Sequence, residues 1–173
     1  MIHLVLGGAR SGKSSLAEQM ACDSGRAVRV VATATAEDAE MLARIERHKQ
    51  QRPGHWVVQE EPLHLSELIR DHQDADEILL IDCLTLWLSN QLFHPCKPNL
   101  NERRTELCEA LAESRSEIIL VSNEVGMGIV PLGAVNREFA DQAGWLNQAV
   151  ARVADQVSFV VAGLPLRLKG EKS

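Results

Sequence analysis

The segment Gly7-Gly8-Ala9-Arg10-Ser11-Gly12-Lys13-Ser14 constrains this chain more than any other feature. It satisfies G-x-x-x-x-G-K-[ST] at every fixed position, and its flanks are the ones that pattern needs. Ile2 to Leu6 is a short apolar run that predicts a buried strand. Lys13 to about Asp23 is rich in helix formers and is followed by Gly25, where a C-terminal cap belongs. A strand, a glycine loop and a helix in that order let the backbone curl so that successive N–H groups point at phosphate oxygens. The helix N-terminus adds its partial positive charge. Lys13 is placed to reach the outer phosphates, and the Ser14 hydroxyl to ligate Mg²⁺. The expectation is binding of a nucleoside triphosphate. The motif does not say what is done with the nucleotide.

The rest of the chain continues the alternation. Ala27 to Thr33 predicts a second strand, and Thr35-Ala36-Glu37-Asp38 has the form of a capping box opening a helix to about Lys49. A short strand over Trp56 to Gln59 and a helix over Leu63 to His72 follow. Ile78 to Asp82 reads as a strand, Leu84 to Phe93 as a helix and His94 to Asn101 as a loop. Then come a helix over Glu102 to Ser114, a strand over Glu117 to Ser122, a Gly/Pro-rich loop over Asn123 to Gly133 and a helix over Val135 to Ala154. Gln156 to Ala162 is the last clear strand, with Leu166 to Lys169 a candidate edge strand. The strands are near-continuous apolar runs separated by helices. That predicts an α/β fold, a mostly parallel sheet covered on both faces, in a three-layer arrangement of the P-loop NTPase, RecA-like type. The 173 residues suit a single catalytic domain.

Composition narrows the function. The net charge is 18 − 24 = −6, which argues against a general nucleic-acid binder. No apolar run approaches the roughly 18 residues that span a bilayer. The N-terminal run shows neither a charged n-region nor a cleavage-site pattern, so a cytoplasmic protein is expected. Cys22, Cys83, Cys96 and Cys108 form no CxxC pair and are expected as free, buried or half-buried thiols.

Two further positions carry chemistry. Asp82 ends an apolar strand, where such folds hold the Mg²⁺ shell, although an Asp there also suits the N-cap of the following helix. On the helix from Ala36, residues Met41, Ile45 and His48 share one face, flanked by Arg44, Arg47, Lys49 and Arg52. A largely neutral imidazole beside cations near a triphosphate is a competent nucleophile at phosphorus. On composition alone, a hydrogen-bonded, half-buried structural histidine is the favoured reading of His48. His55 and His64 make weaker cases, and His3, His72 and His94 suggest no role. Residues alone leave three readings open: an enzyme using His48, a P-loop small-molecule kinase with a structural His48, and a non-catalytic nucleotide-binding module. A GTPase switch is disfavoured because no N-K-x-D motif is present.

Several segments together resemble the bifunctional adenosylcobinamide kinase/adenosylcobinamide-phosphate guanylyltransferases of cobalamin biosynthesis. They are GGARSGKS, the ATA at Ala32 to Ala34, DAEMLARIERHKQQRPGHW from Asp38, LLIDCLTLWLSN from Leu79, SNEVGMGIVP from Ser122 and GWLNQAVARVAD from Gly144. The glycine loop is generic, whereas the runs around His48 and Asn123 are specific. The resemblance implies phosphorylation of the aminopropanol hydroxyl of adenosylcobinamide by ATP or GTP. GMP then passes from GTP to that phosphate through a covalent histidine–GMP intermediate, at the position of His48. It further implies nucleotide contacts at Gly7 to Ser14, at Ala32, Thr33 and Ala34, at Lys49, Gln50, Gln51 and Arg52, and at Glu60 and Asp82. Glu60 suits guanine, because a carboxylate accepts from N1–H and the 2-amino group together; a solvated strand-end acid is the alternative. Some relatives carry Glu at the Asp82 position, which leaves its partner open. A corrinoid substrate and a homo-oligomer, commonly a trimer, are also implied. Glu124, just past a strand C-terminus, is a candidate for the base of the kinase step, and the apolar loop from Gly126 to Pro131 suits a corrinoid contact, a subunit contact or simply a turn between strand and helix.

Overall fold

The computed structural model describes residues 1–34, 52–72 and 76–170. The helix expected over about Ala36 to Lys49 lies outside the described residues. Seven strands are β1 (Ile2–Gly7), β2 (Ala27–Ala32), β3 (Val57–Glu60), β4 (Glu77–Asp82), β5 (Glu117–Asn123), β6 (Gln156–Val161) and β7 (Leu164–Lys169). They form one sheet in the order β3-β2-β4-β5-β1-β6-β7. All neighbours pair in parallel except β6 and β7. The described helices are α1 (Lys13–Asp23), α2 (Leu65–Asp71), α3 (Leu84–Leu92), α4 (Leu100–Glu113) and α5 (Ala134–Val153).

Alternation along the strands splits the core in two. Leu4, Leu6, Leu79, Ile81, Ile118 and Leu120 face one side, where they meet Leu84 and Trp87 of α3, Leu107 and Leu111 of α4, and Leu146 and Val150 of α5. Val5, Val28, Val30, Leu80, Ile119 and Val121 face the other, against Ala17 and Ala21 of α1 and Trp56. Ala17 and Ala21 are four residues apart and small, so α1 approaches the sheet closely behind the glycine loop. The expectation of cover on both faces holds for β1 and β4. It fails at β3, where every residue is exposed, while β7, expected as an edge strand, does lie at the sheet edge and is exposed throughout.

Three boundaries differ from expectation for local reasons. Trp56 is still in a turn, its N–H donating to Pro53 O at 3.0 Å, so β3 begins one residue later. The Glu61 carboxylate accepts from the N–H groups of Leu63 and His64, which delays α2 to Leu65. Asn99 caps α4 by accepting from Asn101 and Glu102 N–H, so that helix starts at Leu100, inside the expected loop. The cysteines are free, as expected, but Cys22 and Cys96 are exposed rather than buried. Burial, then the Asp82 charge, pushes the Cys83 thiol up from its ordinary value.

The β6–β7 connection is a two-residue hairpin turn with positive φ at both Ala162 (51°) and Gly163 (78°). That is the turn whose twist matches antiparallel strands. Its tip reaches the glycine loop after β1. Gly163 N–H donates to Ser11 O at 2.8 Å.

Candidate active site

The carboxyl ends of the parallel strands form one row. Glu60 lies in register with Ala32, Ala32 with Asp82, Asp82 with Val121, and Asn123 with Gly7. Of the expected nucleotide residues, Gly7, Ala32, Glu60 and Asp82 therefore lie along one edge of the sheet. At about 4.8 Å per strand, Glu60 and Gly7 sit about 19 Å apart across it.

Gly7 to Ser14 wraps from β1 into α1. Ser11 N–H and Lys13 Nζ both donate to Gly8 O, each at 3.2 Å. Lys13 is only 6% exposed, so its ammonium is held against the loop. Gly12 is the N-cap of α1 with φ 97°, and no side chain caps the helix. A Cβ at Gly12 would stand 3.1 Å from Gly163 Cα, so the hairpin tip and the left-handed backbone both demand glycine here. No acidic residue occupies the first turn of α1. The Ser11 hydroxyl is buried without a hydrogen-bond partner. An uncapped helix N-terminus, a buried hydroxyl with no hydrogen-bond partner among the described residues and a lysine folded over the loop are donors within one short stretch of chain. Together they form an anion cradle.

Beside it, Arg52 joins two acids. Its Nε donates to Glu18 Oε1 at 2.8 Å and a terminal nitrogen donates to Asp82 Oδ2 at 2.6 Å. The guanidinium is 6% exposed at the side chain and the carboxylates about a fifth. Asp82 does not cap α3; Cys83 is the N-cap and makes no side-chain capping bond. The capping alternative is thereby corrected: the carboxylate turns to Arg52. The Asp82–Cys83 peptide is cis.

Thr33 is fully buried, its hydroxyl donating to Cys83 O at 2.7 Å and accepting from Cys83 N–H at 2.9 Å. Its carbonyl accepts from Asn90 Nδ2, which also donates to Pro62 O. Thr33 thus ties the end of β2 to the end of β4. Ala34 follows it as the last residue of the first described segment, and Glu60 is exposed at the end of β3. Ser14 is partly buried in the first turn of α1. His48, Lys49, Gln50 and Gln51 lie outside the described residues. His55 and His64 are exposed.

Four supports escaped the sequence reading. Glu18 on α1 and Asn90 on α3 are two of them. The others are Thr85 and Asn147, which lock the end of β5: Thr85 Oγ1 accepts from Asn123 N–H at 2.7 Å, and Asn147 Nδ2 donates to Asn123 O at 3.1 Å. Ser122 Oγ donates to Asn147 Oδ1 at 2.7 Å. Asn147 carried a signal, since it interrupts the apolar stripe Ala143, Leu146, Val150 of α5. Glu18 carried none, because its partner is 34 residues away in the chain.

Comparison with known proteins identifies the family of the chain. The family described as "Cobinamide kinase / cobinamide phosphate guanyltransferase" matches residues 3–168. The chain is 53% identical over 171 residues to the bifunctional adenosylcobalamin biosynthesis protein CobP of Pseudomonas aeruginosa, covering 99% of each. It is 40% identical to the bifunctional adenosylcobalamin biosynthesis protein CobU of Escherichia coli (strain K12), covering 98% of this chain and 100% of that one. Among solved structures, the RadB recombinase aligns with TM-score 0.51 at 14% identity, over 91% of this chain and 73% of that one. A Pyrococcus horikoshii OT3 protein aligns with TM-score 0.59 at 10% identity, over 99% of this chain and 87% of that one. These two share the fold, which is the P-loop, RecA-like α/β type expected. With the family match spanning nearly the whole sequence, this chain belongs to the bifunctional cobinamide kinase/cobinamide phosphate guanylyltransferases of cobalamin biosynthesis.

Proposed function

We propose that both reactions run on this one edge of the sheet, in one catalytic domain. The observation that carries this reading is the cradle at Gly7 to Ser14, with its uncapped helix, unpartnered Ser11 hydroxyl and buried Lys13. Gly7, Gly8, Ala9, Arg10, Ser11, Gly12, Lys13 and Ser14 hold the phosphates of ATP or GTP. Ala32, Thr33, Ala34, Lys49, Gln50, Gln51, Arg52, Glu60 and Asp82 complete the nucleotide contacts, with Glu60 accepting from guanine. Thr33 acts chiefly by fixing the strand end, since its hydroxyl is bonded to Cys83.

Mg²⁺ fits this donor set. The ion takes few protein ligands and keeps waters and phosphate oxygens, so it needs no cage. Among the described residues no cluster of three His, Cys, Asp or Glu side chains exists to form one. Ser14 and Asp82 would hold it, Asp82 through the oxygen that Arg52 does not engage. When bound it neutralises phosphate charge.

In the kinase step, Lys13 and the loop N–H groups hold the γ-phosphoryl group while the substrate hydroxyl attacks it in line. In the guanylyl step, the His48 imidazole attacks the α-phosphorus of GTP and expels pyrophosphate. The corrinoid phosphate then displaces the imidazole. The acceptor is the small-molecule corrinoid. Among the described residues no helix is long and apolar enough to cross a membrane, and we place the enzyme in the cytoplasm without a nucleic-acid partner. The exposed Met127, Ile129, Val130 and Leu132, with Leu164, Leu166 and Leu168 of β7, support a homo-oligomer, which we take to be a trimer.

The test is isotope exchange. A guanylyl-enzyme formed before acceptor binding must move label from pyrophosphate into GTP with no corrinoid present. Wild type should exchange and His48→Ala should not. Exchange that requires corrinoid would remove the covalent step.

A further inference from the structure

The kinase step needs a group to take the proton of the acceptor hydroxyl, and we propose that this group is the carboxylate of Glu124. This rests on the reading of Gly7 to Ser14 as the phosphoryl-donor site. Position is the first argument. β5 lies between β1, which leads into the phosphate cradle, and β4, which ends in Asp82. Glu124 is the first residue beyond β5, and its N–H donates to Gly7 O at 3.0 Å. Its backbone is thus fixed to the first residue of the cradle, on the strand next to the one that ends in Asp82 and three residues beyond Val121, the register partner of Asp82.

Rigidity is the second. The residue before it, Asn123, is held on both backbone groups by Thr85 and Asn147. That network is buried and polar, costly to assemble, and ends where Glu124 begins. The Glu124 Oε1 accepts from Gly126 N–H, which folds the side chain over its own turn. Its other oxygen accepts no hydrogen bond from the described residues.

Elimination is the third. Among described acids at this end of the sheet, Asp82 and Glu18 both accept from Arg52. Glu61 accepts from two backbone N–H groups. Glu60 ends β3, four strands from β1 in the sheet order. Glu124 is partly buried beside the cradle.

The step balances simply. The hydroxyl oxygen bonds to the γ-phosphorus as the bond from that phosphorus to the β–γ bridging oxygen breaks. The electron pair leaves with the nucleoside diphosphate, and the hydroxyl proton passes to Glu124 Oε2 and then to solvent. Guanylyl transfer needs no such base, because its acceptor is a phosphate, already ionised near neutral pH.

That difference supplies the test. Glu124→Gln keeps the shape and an oxygen for Gly126 N–H. Wild type and variant are assayed separately with adenosylcobinamide plus GTP, and with pre-formed adenosylcobinamide phosphate plus GTP. A lost general base lowers kinase turnover by about 10²–10⁴-fold. The expected result is that loss in the first assay, with the second within about threefold of wild type, which also reports that the variant is folded. Equal losses in both assays would make Glu124 a structural support and overturn the proposal, as would an unchanged kinase rate. Wild-type protein that exchanges pyrophosphate into GTP but phosphorylates no corrinoid would overturn the donor-site reading, and the assignment with it.

Discussion

Arg52 holds Asp82: a terminal guanidinium nitrogen lies 2.6 Å from Asp82 Oδ2, and the same side chain reaches Glu18 of α1 at 2.8 Å. One buried cation therefore links the helix after the phosphate cradle to the strand that ends in the candidate metal acid. Removing it leaves two neighbouring carboxylates without their cation. Arg52→Met is expected to lower stability by about 3 kcal/mol, at the lower end for a broken buried pair because both acids are partly exposed. Arg52→Lys should recover only part, since an ammonium cannot span both acids as a planar fork does. Urea unfolding of the three proteins checks this, and equal midpoints for wild type and Arg52→Met would contradict it.

The contact between the cradle and the β6–β7 hairpin gives a second expectation. Gly12 has φ 97°, and a Cβ there would stand 3.1 Å from Gly163 Cα. Gly12→Ala should cost about 1–2 kcal/mol from the left-handed backbone alone. Relieving the clash displaces the loop, so GTP affinity should fall at least about tenfold, or about 1.4 kcal/mol. Titration calorimetry with GTP reads the second effect separately from the melt.

Asn147 should matter to stability although it touches no proposed ligand. Asn147→Leu leaves the Ser122 hydroxyl and the Asn123 carbonyl short of their partners, both near the buried end of β5. The expected loss is about 1–3 kcal/mol, the cost of buried polar groups left unsatisfied. Asn147→Asp, which keeps the acceptor for Ser122 but sets a buried carboxylate oxygen against Asn123 O, should lose stability as well.

His3 sets a pH limit on the fold. It is buried on β1, its Nε2 lies 2.9 Å from Ser158 Oγ, and its Nδ1 has no partner. Burial, and then the Arg167 charge, push the imidazole from 6.5 down to about 4. The unfolded chain thus binds this proton at a higher pH than the folded one. Its contribution is complete above about pH 6.5 and disappears as pH falls toward 4, amounting to about 3 kcal/mol. Wild-type stability should fall across that window. His3→Gln should fall less steeply, and parallel curves would exclude His3 as the cause.

Much of this was legible in the sequence because the informative contacts are local or periodic. The helix after Gly12 runs over Lys13–Asp23 as its composition predicts, and the parallel strands stand where apolar runs do. The row of strand ends followed from alternation alone, since parallel strands bring their carboxyl ends together. Three things were not legible. The exposure of β3 depends on strand order, which no local pattern specifies. The Arg52–Glu18–Asp82 link spans two long separations in the chain. The Asn99 cap was hidden in a stretch whose prolines read as continuous loop. His48 drew attention by its helical face, but its assignment as nucleophile came from the resemblance and rests outside the described residues.

The most direct measurement is therefore covalent labelling. The purified protein is incubated with Mg²⁺ and GTP labelled at the α-phosphate, then run on a denaturing gel beside His48→Ala. A phosphoramidate on histidine is labile to acid and stable to base. The account predicts label on wild type that survives base, is lost in acid and is absent from the variant. Equal labelling of both proteins, or no label on a wild-type protein that binds GTP, would contradict it.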